Sequence, residues 1–287
     1  MALAPSEPGT SLPRPFYFPV RAEPLRMQAG LSRFGSDFGN GPADQLFFSQ
    51  DETRAPWLVE KARLLELYPQ QNDGVVAGEP EQRALDAARS WMLATLQREG
   101  SGLVAELPLD QLGRHLAEDF VILHCPPGAP DRTLFTHVFF PSGWRPEHIL
   151  GRSFLEIHGR IPAFAQVARA AATLTETMAT RGPYVRFVWT ISADAELDHH
   201  PDHGARASFS RQTPRAFLRV ERQITVPLAP AAASLFLIRT YLYDFDDLSD
   251  EQRSLLARAL ELMPLEILRY KQLEQALPRA LELLRRD

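Results

Sequence analysis

Little in this chain can cross-link, enter a bilayer or grip nucleic acid. Cys125 is the one cysteine in 287 residues, so no internal disulfide can form, which fits a reducing, cytoplasmic setting. No apolar run approaches the roughly 18 residues a membrane-spanning helix needs. The N-terminus (MALAPSEPGTSLPRPF) has neither a basic start nor an apolar core, so no secretory signal is expected. A net charge of −5 lacks the clustered positive charge that phosphate backbones require, and no nucleic-acid partner is expected. Only two lysines occur, Lys61 and Lys271; the remaining basic residues are arginines. No Gly-x-Gly-x-x-Gly follows a strand and no Walker loop occurs, which removes nucleotide fingerprints. There is no cysteine cluster for zinc or iron–sulfur and no Gly-x-Ser-x-Gly elbow. If the chain does redox chemistry, its electrons must come from another protein.

What remains is an ordinary globular composition, 45% apolar and 23% charged, enough for one sizeable core. Residues 1 to about 24 are Pro-rich and read as an extended arm. Residues 25–287 read as a single domain with its core at about 116–245. Helices are expected from Thr53 to Leu67, from Pro80 to Glu99 and from Pro108 to Glu118. Strands are expected at Phe120–Cys125 and Thr133–Phe140, paired as a hairpin across Pro126-Pro127-Gly128. A longer helix is expected over Ala163–Thr180. Three more strands follow, at Tyr184–Ile191, Arg215–Val226 and Ser234–Tyr243, with a turn at Pro227–Pro230. The C-terminus returns to helix at Ser249–Met263 and Pro264–Arg286, with Pro278 expected to break the last one. Strand, strand, helices, then three strands with short connections is the order of an α+β, PAS-like, five-stranded antiparallel sheet. Such a sheet carries helices over a ligand face.

Alternation sorts each strand into two faces. Phe217, Arg219, Glu221 and Gln223 share one, and Leu218, Val220, Arg222 and Ile224 the other. Tyr184, Arg186, Val188 and Thr190 oppose Val185, Phe187, Trp189 and Ile191, while Leu235, Leu237, Arg239 and Tyr241 lie together. Arginines thus sit among apolar neighbours on all three strands. They read either as solvated edge charges or as pocket groups matched to carboxylates. The stretch His137–Phe164 (HVFFPSGWRPEHILGRSFLEIHGRIPAF) has the makings of a pocket wall: a strand, the turn Pro141-Ser142-Gly143, Trp144, helical turns and His158. Taken alone, His158 reads as a structural histidine. His199, His200 and His203 read as a solvated polar loop. Cys125 before Pro126 reads as a buried thiol, with thiolate ligation of haem the alternative.

Four blocks together resemble one family: FFPSGW (Phe139–Trp144) with IHGRIPAF (Ile157–Phe164), RFVWTI (Arg186–Ile191), LRVERQITVPL (Leu218–Leu228) and LFLIRTYL (Leu235–Leu242). LAEDFVIL (Leu116–Leu123) and RYK (Arg269–Lys271) fit the same pattern. These are similar to the haem-dependent oxidative N-demethylase family, the haem-bearing subunit of dimethylamine monooxygenase. The resemblance covers about residues 110–275. It implies a PAS-like fold, bound haem b and His158 as the metal ligand on the iron. Trp144, Phe187 and Trp189 would wall the haem, with Arg186 and Arg239 as further cofactor-binding groups. Glu221, with Arg219 or Arg222, would be catalytic and orient the substrate. The implied reaction consumes O2 and a small methylated amine and releases formaldehyde. A separate reductase carrying FMN and a 2Fe-2S cluster would supply the electrons. Val188-Trp189 stands where the family has Asn-Trp, and Gly159-Arg160 where it has a proline after the histidine. The rival reading is a non-catalytic PAS-type haem or small-molecule sensor, because one fold hosts many functions.

Overall fold

A computed structural model of the chain describes residues 17–25, 30–37, 45–101, 106–159, 162, 164–204 and 207–286, without the side chains of 164–167. The order of elements is β1 (Ser32–Arg33), α1 (Arg54–Leu67), β2 (Asn72–Gly74), α2 (Glu79–Arg98), α3 (Leu109–Leu112), β3 (Asp119–His124) and β4 (Arg132–His137). Then come α4 (Phe154–His158), α5 (Phe164–Thr180), β5 (Tyr184–Ser192), β6 (Phe217–Leu228), β7 (Ala233–Asp244), α6 (Asp250–Glu261), α7 (Leu265–Tyr270) and α8 (Leu277–Leu284).

One open sheet holds the fold, in the order β1-β5-β6-β7-β3-β4-β2, with every pair antiparallel. The five expected strands fill its middle. Among the described residues the sheet has seven strands rather than five because Ser32–Arg33 and Asn72–Gly74 add short pairs at its edges. Segments of two or three residues are too short to show alternation. The hairpin of β6 and β7 is the spine, paired without a break from Phe217↔Asp244 to Leu228↔Ala233.

Register turns the alternation into two named faces. Arg186 pairs with Gln223, Val188 with Glu221, and Glu221 with Thr240. These side chains point to the face crossed by α5, which packs on β6 and β7. The opposite face carries Leu218, Val220, Ile224, Leu235 and Leu237, the centre of the apolar core. Helix α2 covers one half of it and α6, α7 and α8 the other. Where β7 runs past the end of β3, α1 closes the exposed edge: Trp57 Nε1 donates to the Thr240 carbonyl at 2.8 Å. Lys61, fully buried, pairs with Asp119 at 2.9 Å and donates to the Glu118 carbonyl at 2.7 Å.

Several boundaries differ from the expected ones. The strand expected to run to Phe140 stops at His137, because the Val138 and Phe140 amides leave the sheet for the Gln71 carbonyl and the Asp119 carboxylate. The helix expected over Pro108–Glu118 is the single turn α3 and a 3-10 turn at Gly113–His115. The His137 ring lies against Gly113 so closely that an added Cβ would come within 2.3 Å of it. The final helix does divide, but at residues 271–276. Pro278 sits in the first turn of α8, where its missing N–H costs no hydrogen bond. Of the N-terminal arm, residues 17–24 are described. The Tyr17 ring lies tilted against Phe187 with centroids 4.7 Å apart, and its amide donates to the Tyr243 hydroxyl.

Candidate functional site

Helix α4 is five residues long, too short to persist alone, and it is fixed from outside. Ser153 and Glu156 form a capping box: the Ser153 amide donates to the Glu156 carboxylate at 2.8 Å, and the Ser153 hydroxyl accepts from the Glu156 amide. Asp131, from the β3–β4 turn, accepts from the Phe154 amide. His158 closes this helix. Its Nδ1 bonds the Phe154 carbonyl at 2.8 Å and its ring stacks on Phe154 at 4.0 Å. A carbonyl partner makes Nδ1 the protonated nitrogen and leaves the Nε2 lone pair available, the tautomer a metal-ligating histidine needs. Burial holds the imidazole below its ordinary pKa against the pull of the Phe154 carbonyl, and Arg186 adds to the lowering. The ring is therefore neutral at pH 7.

Beside it, Gly143 takes a left-handed φ of 80°, which lets the Pro141-Ser142-Gly143 turn reverse sharply before Trp144. Backbone bonds from His199 to Pro141 and from Gly143 to His199 staple this turn to the loop after β5. Trp144, Ile157 and Phe236 then pack on Val121, Val138 and Ile149, an apolar wall on the α5 face.

The polar groups lie further along that face. Arg186 Nε donates to Gln223 Oε1 at 2.7 Å, and Gln223 Nε2 donates to Glu221 Oε2 at 2.9 Å. Arg219, 1% exposed, approaches the other Glu221 oxygen at 3.8 Å. Its terminal nitrogens donate to the carbonyls of Leu197 and Phe140, at 3.0 and 2.7 Å. Arg219 thus holds both the carboxylate and the chain leading into the Trp144 turn. Tyr270 and Lys271, at the end of α7, reach the same charges. Burial lowers the Lys271 pKa to about 8, with Glu221 opposing and Arg186 adding to the shift. Burial raises the Tyr270 phenol against Arg186.

The structure therefore brings His158, Trp144, Arg186, Arg219 and Glu221 to one face. It places the other four expected residues on the opposite one. Arg222 and Arg239 are cross-strand neighbours there. Arg222 donates to the Leu46 and Phe47 carbonyls, and Arg239 to Asp51 and Thr53. Both anchor the segment before α1. Phe187 and Trp189 belong to the apolar core on that face. The grouping of Arg222 with Glu221, and of Phe187, Trp189 and Arg239 with a haem, is not what the register brings together. Gln223, Tyr270 and Lys271 were missed as site residues. Alternation puts Gln223 beside Glu221, but nothing local marks the reach of residues 270–271 to the β5 edge.

The histidine loop is a correction. His199 and His200 are buried, not solvated, and each of the three histidines meets a carboxylate: His199 with Asp194, His200 with Glu147, His203 with Asp198. Glu147, His200 and Asp202 could together offer atoms to a metal. Asp202 is already held by both arms of Arg145 at 2.7 Å, and both His200 nitrogens have partners. Burial pushes the Cys125 thiol up to about 12, so it is no thiolate at neutral pH. A cleft of about 440 Å³ between α2 and Phe135 lies on the far side of the sheet and touches none of these groups.

A family model described as haem-dependent oxidative N-demethylase, alpha subunit-like, matches residues 61–281. That span, well over half the chain, runs from the second half of α1 through most of α8, including every residue gathered on the α5 face. The chain belongs to the haem-dependent oxidative N-demethylase alpha subunit-like family.

Proposed function

We propose that this chain is the haem-bearing subunit of an oxidative N-demethylase and that its site lies between α4, α5 and the sheet. The observation that carries this is His158: a neutral imidazole whose Nδ1 is fixed by a backbone carbonyl and whose Nε2 has no partner among the described residues. That chemistry fits an axial ligand of haem b, beside an apolar wall of Trp144, Ile157 and Phe236. The strand order of the central five, β5-β6-β7-β3-β4, supports a PAS-like reading of the layer. When bound, haem would supply the oxidation of an N-methyl group by O2.

The chain's own residues bind, orient and manage protons. Glu221 accepts a hydrogen bond from the ammonium of a small methylated amine, fixed by Gln223 on one oxygen and flanked by Arg219 on the other. Per cycle, O2, two electrons and two protons convert N–CH3 to N–CH2OH and water. The C–N bond of that hemiaminal then breaks, the hydroxyl proton moves to nitrogen, and formaldehyde and the shorter amine leave. Val188 stands where the resemblance has an asparagine, so this face lacks an amide there, and the proposed substrate class is a small methylated amine rather than dimethylamine in particular.

The electron pair must arrive singly from a partner, for which a flavin and iron–sulfur reductase is the fitting class. The test is formaldehyde release from haem-loaded protein with NADPH and a panel of methylamines, with and without such a reductase. Release only in its presence is expected. Sustained release without it would overturn the electron route, and no release with any amine would overturn the activity.

A further inference from the structure

Glu221 faces a threonine. Thr240 is its cross-strand partner on β7, so the two side chains share the α5 face with Cβ atoms about 4.5–5.5 Å apart. The Thr240 carbonyl accepts from Trp57 Nε1 at 2.8 Å. The hydroxyl has no hydrogen-bond partner among the described residues, although Thr240 is only 1% exposed. A hydroxyl shut off from water is costly unless something completes it. The groups beside it are engaged elsewhere. Gln223 donates to one Glu221 oxygen at 2.9 Å and accepts from Arg186 Nε at 2.7 Å. Arg219 stands 3.8 Å from the other Glu221 oxygen and donates to the Leu197 and Phe140 carbonyls. The Glu221 carboxylate keeps acceptor sites beyond these contacts. Its side chain is 14% exposed, so a ligand enters over the carboxylate and meets the hydroxyl behind it.

Protonated secondary and tertiary methylamines carry the same charge, so a carboxylate alone separates them poorly. What differs is the number of N–H groups, two on a secondary ammonium and one on a tertiary. We propose that Thr240 is a specificity-determining residue: its hydroxyl accepts the second N–H of an ammonium whose first N–H goes to Glu221. The inference rests on the proposed seat of the ammonium at Glu221 and needs no haem. A secondary ammonium completes both acceptors. A tertiary one leaves the hydroxyl unpaired, and a site built around a hydrogen bond discriminates against a ligand that cannot make it.

The test is calorimetry of the full-length chain, haem-free and hemin-loaded, with dimethylammonium and trimethylammonium chloride. Each protein gives a ratio of two dissociation constants. A hydrogen bond from a charged donor, about 1.5–3 kcal/mol, corresponds to roughly tenfold or more in that ratio. Thr240→Val keeps the shape and loses the hydroxyl. It should shift the ratio by that factor towards trimethylammonium, and Thr240→Ser should restore the wild-type value. A second readout needs no ligand. Because the hydroxyl is idle in the free chain, Thr240→Val should melt at or above the wild-type temperature. A clearly lower melting temperature would show that the hydroxyl already has a structural partner and would overturn the proposal. A ratio that Thr240→Val leaves unchanged would overturn it while leaving the ammonium seat at Glu221 intact. Binding of neither ion to the wild-type chain would overturn both. A chain that takes up no hemin but keeps the shift in ratio would end the haem reading and leave the role of Thr240 standing.

Discussion

In the proposed site, Glu221 is the residue on which substrate orientation would turn. Its carboxylate is mostly shielded from solvent, carries a hydrogen bond from Gln223 and stands beside the Arg219 guanidinium. A carboxylate so placed is costly unless its partners stay in position, and it offers an incoming ammonium a charge-assisted bond. Glu221→Gln keeps the shape and removes the charge. The variant should take up haem as the wild type does and lose about tenfold to a hundredfold in kcat/KM, following the roughly 1.5–3 kcal/mol of such a bond. Steady-state formaldehyde rates with secondary and tertiary methylamines measure this, and unchanged rates would take Glu221 out of the site. Glu221, Arg219 and His158 are legible in the sequence, the first two by alternation and the third by its motif. Alternation also sets Arg222 apart from Glu221. What it lacks is the register linking strands, which sends Arg239 to Arg222 and Arg186 to Gln223.

At the scale of elements, α4 shows how a five-residue helix is held so that its last residue, His158, keeps one orientation. Its stability comes from the Ser153–Glu156 box and from Asp131, not from its length. Ser153→Ala should cost about 1 kcal/mol locally. The expected outcome is a several-fold faster hemin off-rate at an almost unchanged melting temperature, measured by haem transfer to an apoglobin acceptor and by calorimetry. An unchanged off-rate would mean that the cap does not position His158. The Ser-x-x-Glu spacing can be read along the chain, whereas the Asp131 bond cannot, since it joins residues 23 apart. The same division holds for the sheet. Its long strands are readable from alternation, while β1 and β2 exist only through their partners. The histidine loop misleads for a related reason: its polar composition suggests solvent, yet Arg145, Tyr68 and three carboxylates draw it inward.

For the whole molecule, one sheet separates the apolar core from the proposed site. The face under α2 and α6–α8 holds the apolar core and the two arginines that tie down the segment before α1. The face under α4 and α5 collects the groups that could do chemistry. Among the described residues no helix is long and apolar enough to cross a membrane. This division makes the central claim, haem on the His158 side, open to a direct check. The measurement is a hemin titration of the wild-type chain, His158→Ala, His200→Ala and Cys125→Ser, followed by oxidised and reduced spectra. The account predicts a saturating Soret band for the wild type, a lost or shifted band for His158→Ala, and wild-type spectra for the other two. A chain that gains no Soret band, or one whose spectrum changes with Cys125→Ser or His200→Ala and not with His158→Ala, would contradict it.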